Sequence, residues 1–217
     1  TSVNNSATNQ GGFICVSQLY VSSNVNTVFR NFVLSGGASL LYSRIGGTAV
    51  QLNVSIVDSQ FDSAVISGND KGLIGFDLVG NAYDGKVSIH LENSQFTNLV
   101  GTAGSVLSGG GANHGKVTVT AYNNTFTNNT VTNSGGILNS VASMNYTLAF
   151  DFQNNTFTNN KASGHGGAFY LREPSSNNTV TLTCINNIFD GNQAVSGGVL
   201  FSTSVSSSSH YFVFTNN

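Results

Sequence analysis

Apolar and polar residues alternate along this chain in short stretches that return at a nearly constant interval. Nine, seven and five residues before each of five phenylalanines stand Leu52, Val54, Ile56; Val87, Ile89, Leu91; Val117, Val119, Ala121; Leu148, Phe150, Phe152; and Val180, Leu182, Cys184. Between them lie mostly polar residues, among them Ser88, His90, Thr118, Thr120, Asp151, Thr181 and Thr183. A period of two sends successive side chains to opposite faces of an extended strand, so each stretch predicts a strand with one face buried. No helical spacing of apolar residues competes with it.

The interval itself predicts the architecture. Phe32, Phe61, Phe96, Phe126, Phe157 and Phe189 follow one another at spacings of 29, 35, 30, 31 and 32. A second landmark, Gly12, Gly37, Gly72, Gly104, Gly136, Gly167 and Gly198, keeps nearly the same step and is followed each time by apolar residues. Two landmarks sharing one period mean a solenoid whose repeats stack in register. The predicted fold is all-β: a single right-handed parallel β-helix of about six to seven coils of about 31 residues, with crossover chirality setting the hand. It occupies 11–217 after a polar segment, 1–10, and reads as part of a longer chain or array. Glycine pairs serve one corner and asparagines another, because both tolerate a left-handed backbone. Asn124, Asn155 and Asn187 form one candidate amide ladder through the stack, and Asn129, Asn160 and Asn192 a second.

The last hundred residues or so carry a recognisable pairing of motifs: Gly166-Gly167-Ala168-Phe169 together with Phe126-Thr-Asn-Asn129, Phe157-Thr-Asn-Asn160 and Phe189-Asp-Gly-Asn192. They resemble the G-G-A-[ILV] and F-x-x-N repeat of chlamydial polymorphic outer membrane proteins. That resemblance implies an autotransporter-passenger-like β-helix displayed at a cell surface and used in adhesion. Phe61 and Phe96 lack the asparagine three residues on, so the earlier coils depart from the motif.

Composition narrows the function. Only 7% of the 217 residues are charged, with a net charge of −2, whereas the chain holds 30 Asn, 29 Ser, 20 Thr and 25 Gly. Without clustered Lys and Arg there is no electrostatic hold on nucleic acid or an anionic membrane, and no apolar run is long enough for a membrane span. Solubility must come from elsewhere. Seven N-x-[ST] sequons, at Asn4, Asn53, Asn123, Asn128, Asn145, Asn154 and Asn177, predict a secreted chain bearing covalent N-linked glycans at the cell surface or outside the cell.

Catalytic chemistry finds little support in the sequence. Polygalacturonase-like enzymes resemble the chain at Gly164-His165-Gly166, but they need clustered carboxylates, and the nine acids here are scattered. Asp62 and Asp190 share the position after Phe but lie four coils apart. His90, His114, His165 and His210 fall at unrelated places and show no metal-ligand spacing. Asp84 and His114 lie in glycine-rich stretches that read as variable turns. Neither a catalytic site nor a metal or other cofactor is expected. Cys184 belongs to an inward column, and Cys15 lies about five coils away, too far for a disulfide.

Three residues after each glycine, Cys15, Leu40, Leu107, Tyr170 and Phe201 form an apolar column that alternation turns outward, a predicted contact stripe. Phe212 and Phe214 fall on inward positions of a further coil. The expected function is a structural or adhesive extracellular rod that associates end-on or laterally. Its partners are copies of itself or further repeats of the same chain, with cell-surface or matrix glycans as adhesion partners. The alternatives are a polysaccharide-processing or a glycan-binding β-helix.

Overall fold

The computed structural model describes residues 2–3, 14–19, 24–35, 39–46, 50–66, 72–78, 85–173, 175, 177–204 and 207–217. Among them there is no helix, and the paired strands run parallel, each to its counterpart one coil away. The chain is a parallel β-solenoid. Strands carrying the repeating phenylalanine stack as a seven-stranded sheet from Ser2–Val3 to Ile188–Asp190, and a twelve-stranded sheet holds the strands that follow glycine and those that lead to Phe. Val100–Gly101, Thr130–Val131 and Lys161–Ala162 add a short third sheet. About five turns close, against the six to seven expected. The first coil is described only in pieces, and Ser209–Thr215 is the last strand.

Alternation builds the core as predicted. All fifteen residues of the three apolar columns are buried, none more than 2% exposed. The phenylalanines stack down the axis: Phe61, Phe96, Phe126, Phe157 and Phe189 have successive ring centroids 4.8–5.2 Å apart and planes within 10° of parallel. That spacing follows from the roughly 4.8 Å between neighbouring strands, so identical side chains in register stack face to face.

Phe32 departs from this column. Val25, Thr27 and Phe29 pair with Leu52, Val54 and Ile56, and five residues beyond Phe29 comes Leu34, which pairs with Phe61. Leu34 fills the core position, while Phe32 is half-buried beside it, its ring 5.9 Å from that of Phe61.

Left-handed residues turn the corners. The first glycine of each pair, Gly135, Gly166 and Gly197, has φ between +66° and +71°, and Gly104 aligns with them at +53°. A Cβ on the second, at Gly136 or Gly167, would run into the carbonyl of the next coil. Asparagine serves most of another corner, where Asn93, Asn123, Asn154, Asn186 and Asn216 all have φ between 50° and 56° and Asp58 takes the same place at 51°.

The glycine-rich stretch around His114 makes its turn as a left-handed bend inside a longer strand, His114 having φ 52° in the row of Asn145 and Asn177. Leu107–Tyr122 is assigned as one strand of 16 residues, paired with Leu138–Gln153 on both sides of that bend. A Cβ at Gly109 would collide with Phe76, and one at Gly111 with the Tyr146 hydroxyl, so these glycines make room for neighbouring rings inside the coil. Asp84 lies outside the described residues.

Candidate functional site

Each Asn-Asn pair before Phe divides its work between two environments. The second member points inward. Asn124, Asn155 and Asn187 are buried, and each side-chain amide donates to the next, at 3.1 Å from Asn124 to Asn155 and 3.1 Å from Asn155 to Asn187. The same oxygens accept backbone N–H groups of the preceding coil at 2.9 Å. Asn129, Asn160 and Asn192 repeat the arrangement, with amide contacts of 2.9 Å. These ladders satisfy corner backbone groups that the parallel sheets leave unpaired, which is why polar side chains are stable there.

The first member of the pair points outward, and most sequons sit on such residues. Asn123, Asn154, Asn128 and Asn177 are exposed, Asn145 is half-buried, and all five have φ between 55° and 62°. Asn123 aligns with Asn154 in one row and Asn145 with Asn177 in another. Asn53 differs: it lies within the strand Gln51–Val57, and its amide donates to Asn26 Oδ1 at 2.8 Å. Asn4 lies outside the described residues.

The predicted apolar stripe does not form one column. Leu40 and Leu107 are fully buried, and Leu107 pairs with Leu138 and Ile74 in a core row. The row that contains Cys15 runs through Tyr42, Gly75, Ser108 and Asn139 to Tyr170 and Phe201. Gly104 stands four residues before this row and Gly37 five, against three for the other glycine landmarks; the one-residue shift reverses the facing of Leu107, and the two-residue shift places Leu40 in the buried row of Leu73 and Val106. The Cys15 side chain lies outside the described part of the structure. Tyr170 and Phe201 are half-buried and stack at 5.9 Å, with His165 lying 4.3 Å from Phe201.

The carboxylates remain dispersed. Asp62 and Asp190 occupy one row four strands apart, through Thr97, Thr127 and Thr158. The Asn98 amide and the Thr97 hydroxyl hold the Asp62 carboxyl below its ordinary range. Asp151 accepts from the Tyr122 hydroxyl at 3.2 Å, and Glu92 meets His90 at 3.2 Å. Asp70, like Asp84, lies outside the described residues. Among the described residues, no three or more His, Cys, Asp or Glu side chains gather to hold a metal ion, and no helix is long and apolar enough to cross a membrane.

One polar cluster escaped the sequence reading. His210 pairs with Val180 and so enters an inward row, where its Nε2 meets Glu173 Oε2 and its Nδ1 lies 2.9 Å from Ser202 Oγ. Glu173 is buried, and burial pushes its carboxyl above the ordinary value, against the opposing pull of His210. The serine, histidine and carboxylate are ordered like a hydrolase relay, but they belong to rows that face the coil interior, and none lines the clefts around Asp77, Asn53 or Lys116. The signal was present: His210 stands two residues before Phe212, on the same alternation. Cys184 is a free, buried thiol whose pKa is pushed up to about 12 by burial, with the charge of Asp151 adding to the effect, so it is an inert core residue.

The chain matches no family model, no curated protein and no solved structure. The likeness to the polymorphic outer membrane repeat therefore rests on the quoted motifs alone.

Proposed function

We propose that the chain is a glycosylated extracellular rod segment, structural and adhesive, lying at a cell surface or in a fibre. The observation that carries this reading is the division of labour within the asparagine pairs. Amides facing the interior are committed to the ladders, whereas Asn123, Asn128, Asn154 and Asn177 among the sequon asparagines stand exposed at left-handed positions. Glycans there would run in rows along the rod and supply the hydration that a surface with 7% charged residues lacks.

Carbohydrate-processing chemistry is the weaker reading. A glycosidase places two carboxyl groups across one scissile bond. Of three clefts formed by the described residues, one is lined by a single carboxylate, Asp77, and the other two by none.

Association fits the same reading. Tyr211, Phe212, Val213 and Phe214 are 37–58% exposed, although Phe212 and Phe214 align with the core residues Leu182 and Cys184. A further coil would cover them, whether from the same polypeptide or a second copy.

Glycopeptide mass spectrometry on the chain secreted from eukaryotic cells tests the proposal. Sugar is expected on Asn128, with partial occupancy within the Asn123/Asn154 and Asn145/Asn177 pairs, whose members stand in adjacent coils only about 4.8 Å apart, and least on Asn53. Bare asparagine at every sequon overturns the glycosylated rod. Light scattering tests association: a monomer at all concentrations removes self-assembly from the reading.

A further inference from the structure

The outer side of the glycine-following strands carries a cleft of about 330 Å³. Two outward rows build it. One runs Tyr42, Gly75, Ser108, Asn139, Tyr170, and its neighbour runs Arg44, Asp77, Gly110, Val141, Arg172. In the middle coils these rows shrink to glycine and serine, which leaves a depression floored by the backbone of Gly109–Gly111. Side chains rise at both ends: Asp77, fixed by the Tyr42 hydroxyl at 2.5 Å, and Tyr170 with Arg172. The corner at Asn133 and Ser134 forms a side wall.

Asn139 belongs to the wall of the cleft and is 5% exposed, its amide oxygen sealed beneath the surface. At the cleft edge the Tyr170 ring continues into Phe201 and His165, with planes within 19° of one another, as an aromatic platform. Among the described residues no carboxylate pairs with Arg172.

These groups call for a ligand with a hydroxyl donor for Asp77, an apolar face for Tyr170 and an anion for Arg172. Nucleic acid is a poor match, since one arginine opposed by an aspartate gives no phosphate track. An extended peptide would need a strand edge, and the cleft floor is a sheet face. A sugar ring presents C–H groups on its face and hydroxyls on its rim. Asp77 and Arg172 stand three strands apart, about 14 Å at the usual strand spacing, so they address different units of a chain. We propose that this cleft binds an acidic oligosaccharide, with one ring stacked on Tyr170, its carboxylate at Arg172, and a hydroxyl of a further unit donating to Asp77.

The inference rests on the adhesive reading above for its biological setting, and its test is separate. The secreted chain is applied to a printed array of neutral, sialylated, sulfated and uronate-containing glycans, followed by calorimetry with sialyllactose and tetragalacturonate and with lactose as the neutral control. Carboxylate-bearing glycans are expected to be retained in preference to neutral ones. Tyr170→Ala should weaken binding at least tenfold, and Arg172→Gln should remove the acidic preference, both with the wild-type melting temperature. Retention of no glycan, retention of neutral glycans only, or binding that neither variant alters overturns the proposal. A bare, monomeric chain that binds acidic glycan keeps the cleft and loses the rod, whereas a glycosylated, self-associating chain that binds none keeps the rod and loses the cleft.

Discussion

The middle coils and the last coil place different residues in the same rows. Through Val87, Val117, Leu148 and Val180 one inward row is wholly apolar, and in the last coil it ends on His210. A second inward row passes from Phe76 through Gly109, Ser140 and Leu171 to Ser202. Glu173 is buried between these coils. Repeat geometry decides which side chain faces inward, but it does not demand that the side chain be apolar. Along the Val87–Val180 row of the middle coils the neighbours above and below are hydrocarbon, so a charge there has nothing to pair with. Near the last coil, Glu173 is tolerated because His210 meets it from the adjacent strand, although Glu173 Oε1 is left without a partner.

Charge placed in the middle should break this contrast most severely. Phe150 is 1% exposed between Val119 and Leu182. Phe150→Asp combines loss of a large ring with an unpaired buried carboxylate, and the expected cost exceeds about 4 kcal/mol. A thermal melt equal to wild type would refute the inward assignment of that row.

The asparagine ladder comes next. Asn160 Oδ1 accepts from the Asn129 backbone N–H and side-chain amide, and its own amide donates to Phe126 O and Asn192 Oδ1. Asn160→Ala leaves several buried groups unsatisfied, with an expected loss of about 2–4 kcal/mol in urea unfolding. Asn159, its exposed neighbour with φ 55°, should lose only about 1–2 kcal/mol on change to Ala, through left-handed backbone strain. Equal losses at the two positions would remove the distinction between ladder and corner.

A smaller effect is expected at the last coil, and it depends on pH. Burial raises the folded-state pKa of Glu173 above its ordinary 4.5, so the folded chain holds a proton that the unfolded chain releases. The resulting stability is present below that ordinary value and is lost as pH rises through the folded pKa. Glu173→Gln should flatten the fall in melting temperature above pH 4.5, and the same slope in both proteins would exclude this origin. Cys184 offers a readout of whether the stack opens: with its thiol at about 12, a disulfide reagent should modify it only at the rate of unfolding.

The smallest change belongs to the outer face. Thr181 faces away from the core between Ala149 and Tyr211, and Thr181→Ala should alter stability by no more than about 0.5 kcal/mol. A large loss there would mean that the outer face packs against something.

Much of this was determined by the sequence alone. A two-residue alternation is a local property, so the apolar columns before Phe and their burial could be read without coordinates. The recurrence of Asn at fixed offsets from Phe likewise revealed both ladders, because stacked identical residues must meet. Tertiary structure decided what depends on register across corners of unequal length. Leu34 rather than Phe32 completes the Phe column because Phe29 aligns with Ile56. Leu107 turns inward because its glycine landmark is shifted by one residue, which exchanges the two faces, and Leu40 because a two-residue shift moves it into the buried corner row of Leu73 and Val106. The glycines at 109 and 111 gain their meaning from rings of neighbouring coils, and the cleft from side chains on strands far apart in the chain. Such relations arise only when the coils are stacked, since pairing along the axis joins residues about 31 positions apart.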